Sequence, residues 1–137
     1  MVVGYVMFSD FLSQLCVELD VSVPEIKESS VMLKVGEVEL QLGDLHPGLS
    51  LFAKIGECPE GKREELFLKL MHANYLGQGT KDARIGLSGD EKFLTMSLGM
   101  PYEMTYSTFR DSIEDFVNFV LYWRKEVEKF EQEKSIL

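Results

Sequence analysis

Cysteine is scarce in this sequence: 137 residues hold only Cys16 and Cys58. They are not spaced as a C-x-x-C pair, and no pattern demands a disulfide. The chain therefore reads as a reduced, cytosolic type of protein that relies on its own core. Histidine is equally rare, and neither His46 nor His72 has a second ligand at metal spacing. Cations are outnumbered, 14 Lys and Arg against 23 Asp and Glu, for a net charge of −9. That excludes the phosphate-neutralising surface a nucleic-acid binder needs. It also makes the chain indifferent to, or repelled by, anionic membranes. No apolar run is long: "FVNFVLYW" at 116–123 falls far short of the ~20 residues of a bilayer span. The opening "MVVGYV" has no basic n-region, long apolar stretch or A-x-A site, so no secretory signal is expected. Linkers, repeats and low-complexity segments are missing too. With 45% hydrophobic residues the chain can fill one core, and a single domain over 1–137 is expected, with residues 1–6 as a flexible extension.

What is present is clear hydrophobic patterning. Phe8, Phe11, Leu12, Leu15, Cys16 and Leu19 recur at helical spacing, which predicts a helix over about 8–19 with Ser9 or Asp10 as its cap and Pro24 beyond its end. "VMLKVGEVELQL" reads as a hairpin whose two-residue loop, Gly36-Glu37, suits a type II′ turn. That loop pairs Val35 with Val38, Leu33 with Leu40 and Val31 with Leu42 on one face, and sets Lys34 opposite Glu39 on the other. A third strand carries Leu49, Leu51, Ala53 and Ile55 in alternation. A helix over about 61–75 follows, with acidic residues near its start. Strands over about 83–87 (Ala83, Ile85, Leu87) and 92–98 (Leu94, Met96, Leu98) come next, and Pro101 ends the second. A long helix over about 107–133 bears an unbroken stripe of Phe109, Ile113, Phe116, Val120, Trp123, Val127 and Phe130. The order α-β-β-β-α-β-β-α predicts an α+β fold, a twisted antiparallel sheet packed against helices.

Chemistry-bearing motifs are weak. Gly77-Gln78-Gly79, with Thr80 and Lys81, resembles a phosphate loop in composition. A phosphate loop, however, follows a strand and opens a helix. Here a helix comes first and a strand after, so the carbonyl end of the helix would face the ligand. Asn74 and Gly77 read as helix-ending residues. Glu64-Glu65 and Glu114-Asp115 are sequence neighbours that diverge on a helix, so neither is a catalytic carboxylate pair. No Ser, Cys or Lys sits in a nucleophile motif. No enzyme activity, cofactor or metal is expected.

The unexplained feature is surplus apolar surface. On the second helix Leu66, Phe67, Leu70 and Met71 can face the sheet, while Leu68, His72 and Tyr75 point elsewhere and Leu76 extends that side. A subunit interface accounts for this, as does a second contact with the long helix. Phe119, Leu121 and Tyr122 widen the apolar side of the last helix. Met32 and Phe52 have the wrong parity for the inner face of the sheet, with Gln41 opposite Met32, and would present a docking surface for an apolar partner.

These features together resemble the class I type III secretion chaperones, the CesT/SycE or Tir-chaperone type. "LFLKLMHANYL" is similar to the family's second helix. "ARIGLSGDEKFLTMSLGMP" is similar to its strand pair leading to a proline, and "FVNFVLYWRKEVEKF" to its final helix with a tryptophan. Leu70, Asn74, Leu76, Ala83, Gly86, Leu87, Leu94, Pro101 and Trp123 carry the match, a pattern of apolar positions rather than a catalytic signature. The resemblance implies a non-enzymatic dimer, homomeric or formed with a related chaperone, in the cytoplasm of a bacterium with a virulence-associated secretion system. It implies binding of the extended N-terminal segment of a secreted effector or related substrate, often as an added strand. On that basis Leu68, His72, Tyr75, Leu76 and Ile85 are the expected dimer surface, and Met32, Gln41 and Phe52 the expected client surface. Two other readings stand beside it: a small ligand-binding or enzymatic α+β domain using the Gly77–Lys81 loop, and a helical adaptor acting through residues 107–133.

Overall fold

Among the described residues, three helices cover one face of a five-stranded sheet and leave the other bare. The computed structural model describes residues 2–45, 48–75 and 82–136, and the side chains among them from 8 to 131. The elements run α1 (Val2–Leu19), β1 (Ser30–Val35), β2 (Val38–Asp44), β3 (Leu49–Glu57), α2 (Arg63–Asn74), β4 (Arg84–Leu87), β5 (Phe93–Met100) and α3 (Tyr106–Ile136). The order is that read from the pattern. α1 starts earlier than its apolar stripe: Ser9 and Asp10 lie inside the helix instead of capping it. The stripe marks where a helix is buried, not where it begins.

The strands form one antiparallel sheet in the order β1-β2-β3-β5-β4. The β1–β2 register matches the turn argument, with Val31 opposite Leu42, Leu33 opposite Leu40 and Val35 opposite Val38. Gly36 takes a φ of 63° and Glu37 does not go positive, as a II′ turn requires. Val31, Leu33, Val38, Leu40, Leu42, Leu49, Leu51, Ala53 and Ile55 are all buried on the helix side. β5 contributes Leu94, Met96 and Met100, with Leu98 only partly covered. Leu87, expected inside, is partly exposed at the end of edge strand β4.

α3 lays its stripe from Phe109 to Val127 into this core. Thr105 precedes its first turn and its hydroxyl accepts from the Thr108 amide at 3.2 Å, an N-cap bond that stabilises the helix start. α1 joins it through Phe11, whose ring stacks on Phe109 at 4.9 Å. Two polar ties lock the helices to their neighbours. Lys69 of α2 bonds Glu126 of α3 at 2.9 Å, and that bond holds the Glu126 carboxyl below the usual range. The Arg124 guanidinium donates to the carbonyls of Ile55 at 3.0 Å, Lys54 at 2.9 Å and Glu37 at 3.4 Å. β3 slips register against β5 between Lys54 and Gly56. A bulge leaves carbonyls off the ladder, and Arg124 takes two of them there.

Candidate docking surfaces

The sheet's uncovered face is organised in cross-strand rows. One row runs Met32–Gln41–Phe52–Ser97–Arg84 across all five strands. The expected client residues Met32, Gln41 and Phe52 are thus direct neighbours. Met32 is 56% exposed and Phe52 37%, while Gln41 between them is half-buried. Below them Ser30, Gly43, Ser50 and Gly99 form a row of small residues. A side chain on Gly43 would collide with the Ser50 hydroxyl at 2.7 Å, so this row stays shallow. Beside Met32 and Phe52 lies a hollow of about 510 Å³ reaching Lys34, Glu39, Lys54 and Arg124.

The two sheet edges differ. In an antiparallel strand, alternate residues turn both backbone groups away from the paired neighbour. On β4 that residue is Ile85, and the Asn74 carboxamide fills the edge there. Its nitrogen donates to the Ile85 carbonyl at 2.8 Å and its oxygen accepts from the Ile85 amide at 2.8 Å. Asn74 therefore does more than end α2; the helix closes on Tyr75, whose amide bonds back to His72 and Met71. On β1, Ser30 turns outward and is met by Lys27 in both directions, at 2.9 and 3.0 Å. The same alternation points the backbone of Met32 and Lys34 outward, beyond that bridge, beside the exposed Met32 side chain. Replacing Asn74 by Ala strips Ile85 of both partners, and should cost about 1–3 kcal/mol. Urea unfolding measures the loss, and amide exchange at Ile85 localises it; unchanged protection of that amide would show that the clamp does not hold the edge.

α2 carries the second surface. Leu66, Leu70 and Ala73 are buried, and Leu68, Met71 and Tyr75 are 59%, 68% and 68% exposed. His72 is exposed among them. Met71 was expected to face the sheet; it joins the outer stripe, and Ala73 takes the inner place. Ile85, expected at the dimer surface, points into the core and is 7% exposed. Its side chain is already used within the protomer, so only its backbone lies near that surface. Phe67, Met71 and Leu87 border a groove of about 160 Å³ between α2 and β4. Leu76, His46 and the 77–81 loop lie outside the described residues.

Elsewhere the described residues hold little for chemistry. Cys16 and Cys58 are free and buried, and burial pushes both thiols up, away from the thiolate a nucleophile needs. No group of His, Cys, Asp and Glu among the described residues could hold a metal ion. No described helix is long and apolar enough to cross a membrane.

The Tir chaperone protein (CesT) family matches residues 10–124 of the chain. No curated protein matches it in sequence. Among solved structures, the ExsC–ExsE complex shares 16% identity at a TM-score of 0.70, over 85% of this chain and 90% of that one. The Yersinia pestis type III secretion chaperone SycH, solved with a stable fragment of YscM2, shares 13% at 0.66, over 84% and 98%. The heterodimeric ExoU–SpcU complex from the type III secretion system of Pseudomonas aeruginosa shares 14% at 0.63, over 86% and 92%. At these identities the likeness is one of fold.

Proposed function

Because the chain belongs to the Tir chaperone protein (CesT) family, we propose that it is a type III secretion chaperone without enzymatic activity. It acts in the bacterial cytoplasm as a dimer with itself or a related chaperone. Its client is the N-terminal segment of a secreted effector or related substrate, which it keeps extended and competent for export. The observation that supports this is the bare sheet face, where Met32 and Phe52 are exposed in one row next to the outward-facing backbone of β1. A client strand laid along β1 would gain main-chain hydrogen bonds there and apolar contact with Met32. The β4 edge is closed at Ile85 by Asn74, which favours β1. The adaptor reading loses support, because the α3 stripe that would bind other helices is buried in this chain's own core.

A segment that is disordered when free must offset its ordering entropy with buried apolar area. Met32 and Phe52 can supply about 1.5–3 kcal/mol each. Met32→Asp with Phe52→Asp should therefore cut client recovery at least tenfold and leave the fold intact, since both side chains are exposed. The measurement is affinity purification of the tagged chain from its native bacterium, wild type against the double variant, with mass spectrometry and circular dichroism. Wild type should bring down a larger protein that is lost when its N-terminal segment is deleted. Equal recovery by the folded double variant would remove Met32 and Phe52 from the client site.

A further inference from the structure

The linker from α1 to β1 already pairs with the outer edge of β1. Glu28 and Ser29 both take positive φ, 51° and 65°, the geometry of a type I′ hairpin turn. The turn sets Lys27 against Ser30 with both backbone bonds made. The Asp44 amide donates to the Ser29 carbonyl at 2.8 Å, which ties the turn to β2. Upstream of Lys27 the pairing stops, yet the chain keeps the alternation of a strand. Pro24 and Ile26 are partly buried, and Val23, Glu25 and Lys27 are exposed. Ile26 packs against the core. One more rung in the same register would set Glu25 opposite Met32. Alternation turns the Glu25 amide and carbonyl toward the outward backbone of Met32 there. Pro24 then falls opposite Leu33, with its nitrogen facing away from β1. Its missing N–H costs no bond at that position and bars a further strand outside. The reach is sufficient: from Leu19 to Glu25 the chain spans roughly 20 Å when extended, and the rung lies only about 7 Å past the existing bridge.

We propose that residues 23–27 are a strap that closes onto β1 by pairing Glu25 with Met32, and that a client strand must displace it. The structure holds the strap open beyond Lys27. Closure takes the same outward backbone groups of Met32 that the client needs, so the two exclude each other. Glu28 and Ser29 occupy positions where an I′ turn favours Asn-Gly, and positive φ costs both of them stability. The closed form is therefore weak enough to open. The inference rests on the client reading above and adds its regulation.

Amide hydrogen exchange on the full chain, without client, tests closure directly. The closed strap hides the Met32 amide and leaves the Lys34 amide in water. Corrected for intrinsic rates, Met32 should exchange about tenfold more slowly than Lys34, the size one added rung of two hydrogen bonds supplies. Glu25→Pro, at an exposed residue, removes the strap's donor and sets a ring against β1; it should erase the difference. Glu28→Asn with Ser29→Gly gives the turn its favoured pair and should widen it. This second variant carries the test if Glu25→Pro unsettles the fold. The two readouts are linked. A tenfold protection leaves about one-tenth of the chains open, so freeing the edge should strengthen client binding by up to the same factor. Client recovery in the affinity purification above should rise with Glu25→Pro and fall with the turn variant. Equal exchange of Met32 and Lys34 in both wild type and turn variant overturns the strap and leaves the client reading as it stands. Protection of both amides alike puts a longer strand, such as a second copy, on the edge and also overturns it. Slow exchange at Met32 alone, with client recovery unmoved in both variants, shows that the client does not use the β1 edge; the client reading then falls, and the proposed competition with it.

Discussion

Phe109→Ala should lower the unfolding free energy by about 3–5 kcal/mol, the cost of deleting a buried phenylalanine whose site collapses only in part. Phe109 is 1% exposed. Its ring stacks on Phe11 at 4.9 Å and lies tilted to Tyr106 at 6.1 Å. It sits in the first turn of α3, where the Thr105 cap fixes the helix entry. The truncation therefore opens a void where α1 meets α3 and removes an aromatic pair worth about 0.5–1.5 kcal/mol beyond its area. A domain of this size holds only about 5–15 kcal/mol in all, so the variant should be folded but close to its threshold. Phe109→Leu, which keeps most of the volume, should recover the larger part. Urea unfolding at a fixed protomer concentration measures both, since any self-association adds its own term. A loss under 1 kcal/mol for the alanine variant would mean that α1 does not depend on this ring.

The hairpin was legible because two local signals agree. A glycine-first loop sets the register, and the alternation of Val31, Leu33, Val38, Leu40 and Leu42 sets the face. The α3 stripe was legible for the same reason, since seven apolar residues in a row of fours and threes admit only one buried side. The sheet order was not. β3 lies against β5 with β4 outside, and nothing in either strand's own composition reports a neighbour 36 to 51 residues away in sequence.

α2 shows where pattern reading went wrong. Apolar residues occur on both sides of this helix, so size alone cannot say which side is inner. Met71 was read as able to face the sheet, and Ala73 had no part in that reading. The structure inverts them, because Leu66, Leu70 and Ala73 share one face of a 3.6-residue period and Leu68, Met71 and Tyr75 the other. A small residue suits the end of the helix that comes up to β4, where Asn74 clasps the Ile85 backbone. Asn74 itself was read as a helix terminator, a role compatible with its composition signal, but its clamp on a strand eleven residues on is a tertiary fact. Met32 and Phe52 could be placed on the outer face by parity. That they share a row with Gln41, Ser97 and Arg84 needed the registers of four strand pairs.

Leu68→Asp should turn the proposed dimer into monomers. Leu68, Met71 and Tyr75 form a continuous outer stripe with His72, and each is more than half exposed in the single chain. Burying such side chains against a second copy contributes about 1.5–3 kcal/mol apiece, while leaving them in water gives the fold nothing, so an interface is the arrangement that uses them. An aspartate at position 68 would carry a charge into that interface without a partner, and on both subunits at once if the dimer is symmetric. The cost of burying a charge unpaired exceeds what the remaining apolar contacts can offset. Leu68→Ala is the milder control, since it removes area without adding charge, and should weaken the dimer without abolishing it. Leu68 faces away from Leu66, Leu70 and Ala73, so neither variant disturbs the protomer core. Sedimentation velocity across a protomer dilution series separates the species, with 15.6 kDa expected for the folded aspartate variant and twice that for wild type. Helical circular dichroism checks that the protomer survives. If wild type and aspartate variant sediment alike with the fold intact, the outer stripe of α2 is not the subunit interface, and its apolar residues serve another partner.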